Sequence, residues 1–115
     1  MITGLGTDIV EIKRISRVNH EDRLARRILS ENELKVYNSI NNETRKNEYV
    51  AGRFSAKEAY SKALGTGIGA HIQFHEISIM NDELGKPFIE GSSALISISH
   101  SREYATATVI LIDSN

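Results

Sequence analysis

The 115-residue chain predicts an α+β fold in which a strand comes first, helices fill the middle and an antiparallel sheet closes the sequence. Three observations predict it. An apolar extended stretch spans Ile2 to Ile12. A strongly helix-forming run spans Glu43 to Leu64. Period-two alternation dominates the last third of the chain, as in Glu76-Ile77-Ser78-Ile79 and Ala94-Leu95-Ile96-Ser97-Ile98-Ser99.

The basic run that begins at Lys13 changes both periodicity and polarity, so the opening strand gives way to a short helix. Ser30-Glu31-Asn32-Glu33 has the spacing of a capping box, in which hydroxyl and carboxylate each satisfy an orphan backbone donor, and starts a helix reaching about Ile40. Asn41 and Asn42 break that helix and offer an N-cap to the next, which runs from Glu43 to Leu64 with Gly65 as its C-cap. Gly52, Ala56, Ala59 and Ala63 share one flank of this long helix, a groove of small side chains against which another element can pack closely. Beyond Gly65-Thr66-Gly67-Ile68-Gly69, Ile72 and Phe74 already read as strand. Asn81 to Pro87 is turn chemistry between two strands, and Tyr104 to Ile112 alternates again.

Length favours one domain over residues 1–115, burying about two thirds of its unfolded surface. With four Tyr, three Phe and no Trp, aliphatic side chains must fill a thin core that assembly would help. A net charge of -1 argues against a general nucleic-acid binder. The absence of cysteine excludes a disulfide framework and a thiolate nucleophile and fits a reducing cytoplasm. No signal-peptide pattern is evident, and no apolar run approaches the roughly 18 residues of a membrane span.

The chemistry concentrates in three segments. In Phe54-Ser55-Ala56-Lys57-Glu58-Ala59-Tyr60-Ser61-Lys62-Ala63-Leu64-Gly65, Glu58 and Lys62 stand four apart on one helical face; alone, that spacing is an ordinary exposed ion pair. Asp8 sits among Ile9, Val10 and Ile12, where a carboxylate needs a cation or several donors, or caps a turn. If Asp8 and Glu58 converge, their repulsion calls for a proton or a divalent cation, and magnesium suits two carboxylates completed by water and phosphate oxygens. His100 ends the alternating Ile96-Ser97-Ile98-Ser99-His100 strand as either a hydrogen-bonded structural group or a ligand contact. His71 and His75 are spaced for zinc only on a helix; in a strand they stand too far apart, so no zinc site is expected. The Gly65 to Gly69 glycines follow a helix instead of joining strand to helix, which excludes a P-loop or dinucleotide fingerprint and leaves a loop able to close on a ligand.

Together the Gly6-Thr7-Asp8 start, the FxxKExxxKAxG helix and the S-x-S-H strand resemble the holo-acyl-carrier-protein synthases, the small bacterial class of 4'-phosphopantetheinyl transferases, across most of the chain. The resemblance implies an enzyme that moves 4'-phosphopantetheine from coenzyme A to a serine of apo-acyl carrier protein in fatty acid biosynthesis. It makes Asp8 and Glu58 the ligands of Mg2+, with Glu58 and Lys62 catalytic, and makes Lys62 and His100 contacts to the coenzyme phosphates. Arg53, and more loosely Arg45 with Lys46, line a basic edge suited to another phosphate, and Gly85-Lys86-Pro87 resembles a segment of the family's coenzyme pocket. Arg14, Arg23, Arg26 and Arg27 form either a solvated face or, by resemblance, the dock for an acidic carrier protein. The family further implies a homotrimer with sites between subunits. Either Glu58 or a water on the metal can take the serine proton.

Two other classes use the same residues. A non-catalytic module can bind an acidic protein or a nucleotide through the Arg14 to Arg27 region, and a magnesium-dependent phosphate-ester hydrolase can use the same carboxylates without an acceptor protein.

Overall fold

The opening strand β1 (Ile2–Glu11) turns Gly4, Gly6, Asp8 and Val10 inward and leaves Leu5, Thr7 and Ile9 outward, the period-two division its residues imply. The computed structural model describes residues 1–65 and 72–113 of the chain. Helix α1 (Ile12–Val18) follows β1 directly, and α2 (Arg23–Ile28) follows a 3-10 turn at His20–Asp22. The basic region is thus two short helices, not one. The break lies at Glu21 and Asp22, whose φ angles of 55° and 61° no helix accommodates. Tyr37 donates to the Asp22 carboxylate at 2.5 Å and Asn19 donates to the Tyr37 hydroxyl at 3.1 Å, which holds the kink from outside.

Helix α3 (Glu31–Ser39) carries the complete capping box: the Glu33 amide donates to Ser30 Oγ at 3.2 Å and the Ser30 amide donates to Glu33 Oε1 at 2.9 Å. Ser30 Oγ also lies 2.7 Å from Ser78 Oγ, so the cap ties the helix to the segment before the next strand. Ser30→Ala will lower stability by about 1 to 2 kcal/mol. A thermal melt checks this, and an unchanged midpoint would deny the cap any weight.

Helix α4 (Glu43–Leu64) has the bounds its sequence predicts. Asn42 Oδ1 accepts from the Arg45 amide at 3.0 Å, and Gly65, at φ 80°, closes the last turn by donating to the Ser61 and Lys62 carbonyls. The small-residue flank does receive a neighbour. β1 crosses it so closely that a Cβ at Gly4 or Gly6 would strike the α4 backbone at Ala59 and Ala63, and Gly52 faces Ile98.

After α4 the alternation starts later than its pattern suggests. Phe74–Glu76 is a 3-10 turn, not strand. Local and tertiary bonds override periodicity there: Glu76 accepts from the Gln73 amide at 2.7 Å, and the Phe74 ring stacks on Phe54 with centroids 5.5 Å apart. The short strands β2 (Ile79–Asn81) and β3 (Pro87–Ile89) form a separate antiparallel pair around the Asp82–Lys86 turn. There Asp82 Oδ1 accepts from the Leu84 and Lys86 amides at 2.9 Å each.

Strands β4 (Leu95–His100) and β5 (Tyr104–Ile112) join β1 in an antiparallel sheet of order β1-β5-β4. The N-terminal strand is therefore an edge of the late sheet, with Asp8 opposite Ala107 and Ile98 opposite Ala107 on the other side. Helix α4 packs across the inner face and divides the core. Val10, Ile15, Ile28 and Val50 cluster on one side, and Ala56, Ile79, Ala107 and Val109 on the other. No helix among the described residues is long and apolar enough to cross a membrane. The glycine run after Gly65, read as a closing loop, and His71 lie outside the described residues.

Candidate active site

Asp8 and Glu58 converge. Both line a cavity of about 260 Å³ between β1, α1 and α4, with Arg14 at the same wall. Asp8 arrives there because inward alternation places it two residues beyond Gly6, where β1 lies closest to α4. Its backbone is pinned: the Asp8 carbonyl accepts from Ser55 Oγ at 3.0 Å and from Thr106 Oγ1 at 2.9 Å. Glu58 comes from the α4 turn below, and burial together with the nearby Asp8 charge raises its pKa, against a smaller pull from Lys62. The remaining walls are apolar, including Ile15, Leu24 and Phe54. Periodicity marks these as core, and nothing in the local sequence distinguishes a cavity lining from a filled interior.

Lys62 does not form the anticipated i,i+4 pair. Among the described residues its ion pair is with Asp8, Nζ to Oδ1 at 3.2 Å, and Nζ also donates to the Thr7 carbonyl at 3.0 Å. Its side chain remains 56% exposed, so the pair adds little to stability but holds an ammonium at the edge of the carboxylate site. Three predicted residues on two segments, β1 and α4, thus form one charged cluster.

Most of the predicted coenzyme contacts gather elsewhere. Arg45, Arg53, Pro87 and His100 line a second cavity of about 240 Å³, between α4, β4 and the β2–β3 turn. Arg53 is largely buried, with Nε and Nη2 donating to the Ile79 carbonyl at 3.3 and 3.1 Å and Nη2 to Asn81 Oδ1 at 2.9 Å. Its guanidinium carbon lies 4.5 Å from the Tyr49 ring centroid. Among the described residues, these bonds engage Nε and Nη2 and none is made by Nη1. Lys86 is exposed in the turn and is not part of the cavity wall.

Glu48, Tyr49, Gly52 and Asn81 also line this cavity, unanticipated from sequence. A signal existed, because Glu48, Tyr49 and Gly52 share a helical face with Arg45. Glu48 Oε2 lies 3.7 Å from His100 Nδ1, giving the histidine an anionic neighbour.

Arg23, Arg26 and Arg27 are exposed on α2, and Arg14 is exposed on α1. Leu24 of α2 faces the Asp8–Glu58 cavity, so the basic helix borders the carboxylate site directly.

Among the described residues, no group of three or more His, Cys, Asp and Glu side chains converges. Two hard carboxylates facing a cavity, with room for water and phosphate oxygens, fit magnesium and not a closed zinc site. The raised pKa of Glu58 has a consequence for stability. A carboxylate that titrates higher when folded contributes stability below its unfolded pKa and loses it as pH rises through the folded value. Without metal, Glu58→Gln will therefore raise the neutral-pH melting midpoint by roughly a degree or two, and the gap will close below the ordinary carboxylate range. Melts across pH check this; a lower midpoint at neutral pH would deny the repulsion.

The sequence profile of the 4'-phosphopantetheinyl transferase superfamily matches residues 4–109. A holo-[acyl-carrier-protein] synthase of Staphylococcus carnosus is 48% identical over 114 residues, covering 96% of this chain and 97% of that protein. One from Staphylococcus aureus is 49% identical at 96% coverage of both. Among solved structures, a holo-(acyl-carrier-protein) synthase from Bacillus anthracis in complex with CoA (3',5'-ADP) superposes with a TM-score of 0.92 at 47% identity, covering 99% of each chain. The Neisseria meningitidis synthase superposes at 0.87 with 37% identity, over 98% of this chain and 100% of that one. With Asp8 and Glu58 brought together as described and residues 4–109 matched by the family profile, the chain belongs to the 4'-phosphopantetheinyl transferase superfamily, among the holo-[acyl-carrier-protein] synthases.

Proposed function

We propose that this enzyme transfers 4'-phosphopantetheine from coenzyme A to a serine hydroxyl of apo-acyl carrier protein, with Mg2+, releasing adenosine 3',5'-bisphosphate, in the service of fatty acid biosynthesis. The observation that carries the reading is the convergence of Asp8, Glu58 and Arg14 on one cavity in a chain matched end to end with such synthases.

In the transfer, the serine oxygen forms a bond to the phosphorus that bears pantetheine, and the bond from that phosphorus to the bridging pyrophosphate oxygen breaks. Asp8 and Glu58 would hold the magnesium ion, whose positive charge would offset that of the pyrophosphate. Lys62, already beside Asp8, meets the charge that grows on the leaving phosphate. The serine proton would go to Glu58 or to a water at the metal. The exposed arginines of α1 and α2 steer an acidic carrier protein to the rim where its serine must arrive.

The coenzyme contacts and the carboxylates line separate cavities of one chain. The nucleotide then sits in the Arg45–His100 cavity of one subunit, and the reacting pyrophosphate at Asp8 and Glu58 of a neighbour in a homotrimer. The outer face of the β1-β5-β4 sheet supports assembly: Leu5 and Leu95 flank Ile110 in one row, Ile9 stands four residues along on the same face, and Leu5 and Ile9 are 63% and 66% exposed. Sedimentation will give a trimer, and a fully active monomer would remove the shared site.

The deciding experiment is intact-mass spectrometry of apo-acyl carrier protein incubated with the enzyme, coenzyme A and magnesium, with and without chelator. A phosphopantetheine-sized gain that requires metal supports the reading. No gain with any carrier or metal would leave a binding module, and bisphosphate release without an acceptor would make the chain a hydrolase.

A further inference from the structure

Lys57 and Glu58 are neighbours in sequence with opposite fates. Glu58 faces the site cavity, whereas the Lys57 side chain is wholly buried with its ammonium bonded to Glu33 Oε1 at 2.5 Å, the Ile28 carbonyl at 2.6 Å and the Phe74 carbonyl at 3.0 Å. All three donors of the ammonium are used. Glu33, also wholly buried, accepts in addition from the Ser30 amide at 2.9 Å and, through Oε2, from the Ile79 amide at 2.9 Å. The pair thus binds the end of α2, the start of α3, the 3-10 turn and the start of β2 to one point on α4.

An ion pair so placed needs a reason beyond stability. Desolvating two charges costs several kcal/mol each, and apolar residues of similar volume often replace such pairs without loss. Burial does push the Lys57 pKa down, with Glu33 opposing it. What apolar residues cannot supply is direction. α4 lies on the sheet along Gly52, Ala56, Ala59 and Ala63, a face with few side-chain ridges to hold the helix against sliding or turning. A polar key at one point supplies that register, as single buried polar residues do between paired helices.

We propose that the Lys57–Glu33 pair is a positioning device for the reaction: it sets the rotation and axial position of α4 so that Glu58 meets Asp8, and it ties α2, which carries Arg23, Arg26 and Arg27, to the same point. Lys57 and Glu33 touch no reacting atom; they act through Glu58. The inference rests on the transferase reading.

The test uses the full-length enzyme with two changes. The double variant Glu33→Leu/Lys57→Met replaces the pair with apolar side chains, and Glu33→Gln keeps the shape while removing the charge. Melting midpoint, transfer kinetics and Mn2+ affinity by electron paramagnetic resonance are compared with wild type. The expected result is a folded double variant melting near wild type, with Mn2+ affinity and kcat each reduced by about tenfold or more and the coenzyme A KM within about twofold. Glu33→Gln shifts the same quantities in the same direction and serves if the double variant does not fold. Wild-type metal affinity and kcat in either folded variant would overturn the proposal and leave the pair a stabilising element. A wild-type chain that neither binds Mn2+ nor transfers would instead sink the transferase reading, and with it any carboxylate geometry to position.

Discussion

Glu58→Gln will reduce phosphopantetheine transfer by on the order of a thousandfold while carrier-protein binding persists. The substitution keeps the volume of a half-buried side chain, so the fold survives, but it replaces an anionic oxygen with a neutral amide where Asp8 alone cannot hold a divalent cation tightly. The proposed carrier dock keeps its charges, because Arg23, Arg26 and Arg27 lie exposed on α2. The checks are turnover by intact mass and carrier affinity by fluorescence anisotropy at fixed salt, since charged docking weakens as ionic strength rises. Activity within tenfold of wild type would remove Glu58 from the metal site. Combined with the higher metal-free melting midpoint expected of the same variant, the loss would identify a carboxylate kept for function against stability.

Much of this site was legible because its parts use short-range rules. The Ser30–Glu33 box, the Asn42 cap and the Gly65 stop bound α3 and α4 through bonds between residues three or four apart, and those spacings are visible in any sequence. The motif segments then placed Asp8, Glu58 and Lys62 on elements that do meet. What sequence did not disclose depends on contacts remote along the chain. Lys62 prefers Asp8 to Glu58 because β1 passes beside its turn of α4. Phe74 leaves the strand pattern because Phe54 and Lys57 claim its ring and carbonyl. Arg53 reads as part of a basic edge, but its burial comes from the Ile79 carbonyl and the Tyr49 ring, which draw it inward. Lys57 and Glu33, at helical positions that charge alone assigns to solvent, are the largest departure: only the folded arrangement of α2, α3 and β2 surrounds them.

Gly6→Ala will cost stability on the order of 4 kcal/mol or more, the range reserved for changes the structure cannot absorb. The added Cβ would overlap the Ala59 carbonyl oxygen and lie 2.7 Å from the Ala63 nitrogen and 3.0 Å from the Ala59 carbonyl carbon. All of these are helix backbone, so no rotamer change relieves the clash, and α4 must lift from β1 or β1 must leave its pairing of Gly6 with Val109. Either movement opens the core. Leu5→Ala makes the control, since Leu5 is 63% exposed on the opposite face of the same strand and should leave folding of the subunit intact. Chemical denaturation of both variants decides the point, and a Gly6→Ala chain with a wild-type midpoint would contradict the close approach. Should the variant fold weakly, the consequence for chemistry follows from alternation. Asp8 is the next inward residue after Gly6, and Glu58 precedes Ala59 on the helix that must retreat, so the two carboxylates separate by the same displacement that relieves the clash. Metal affinity will then fall together with stability. The smallest side chain in the opening motif is thus required by the same close packing that brings its aspartate to the helix.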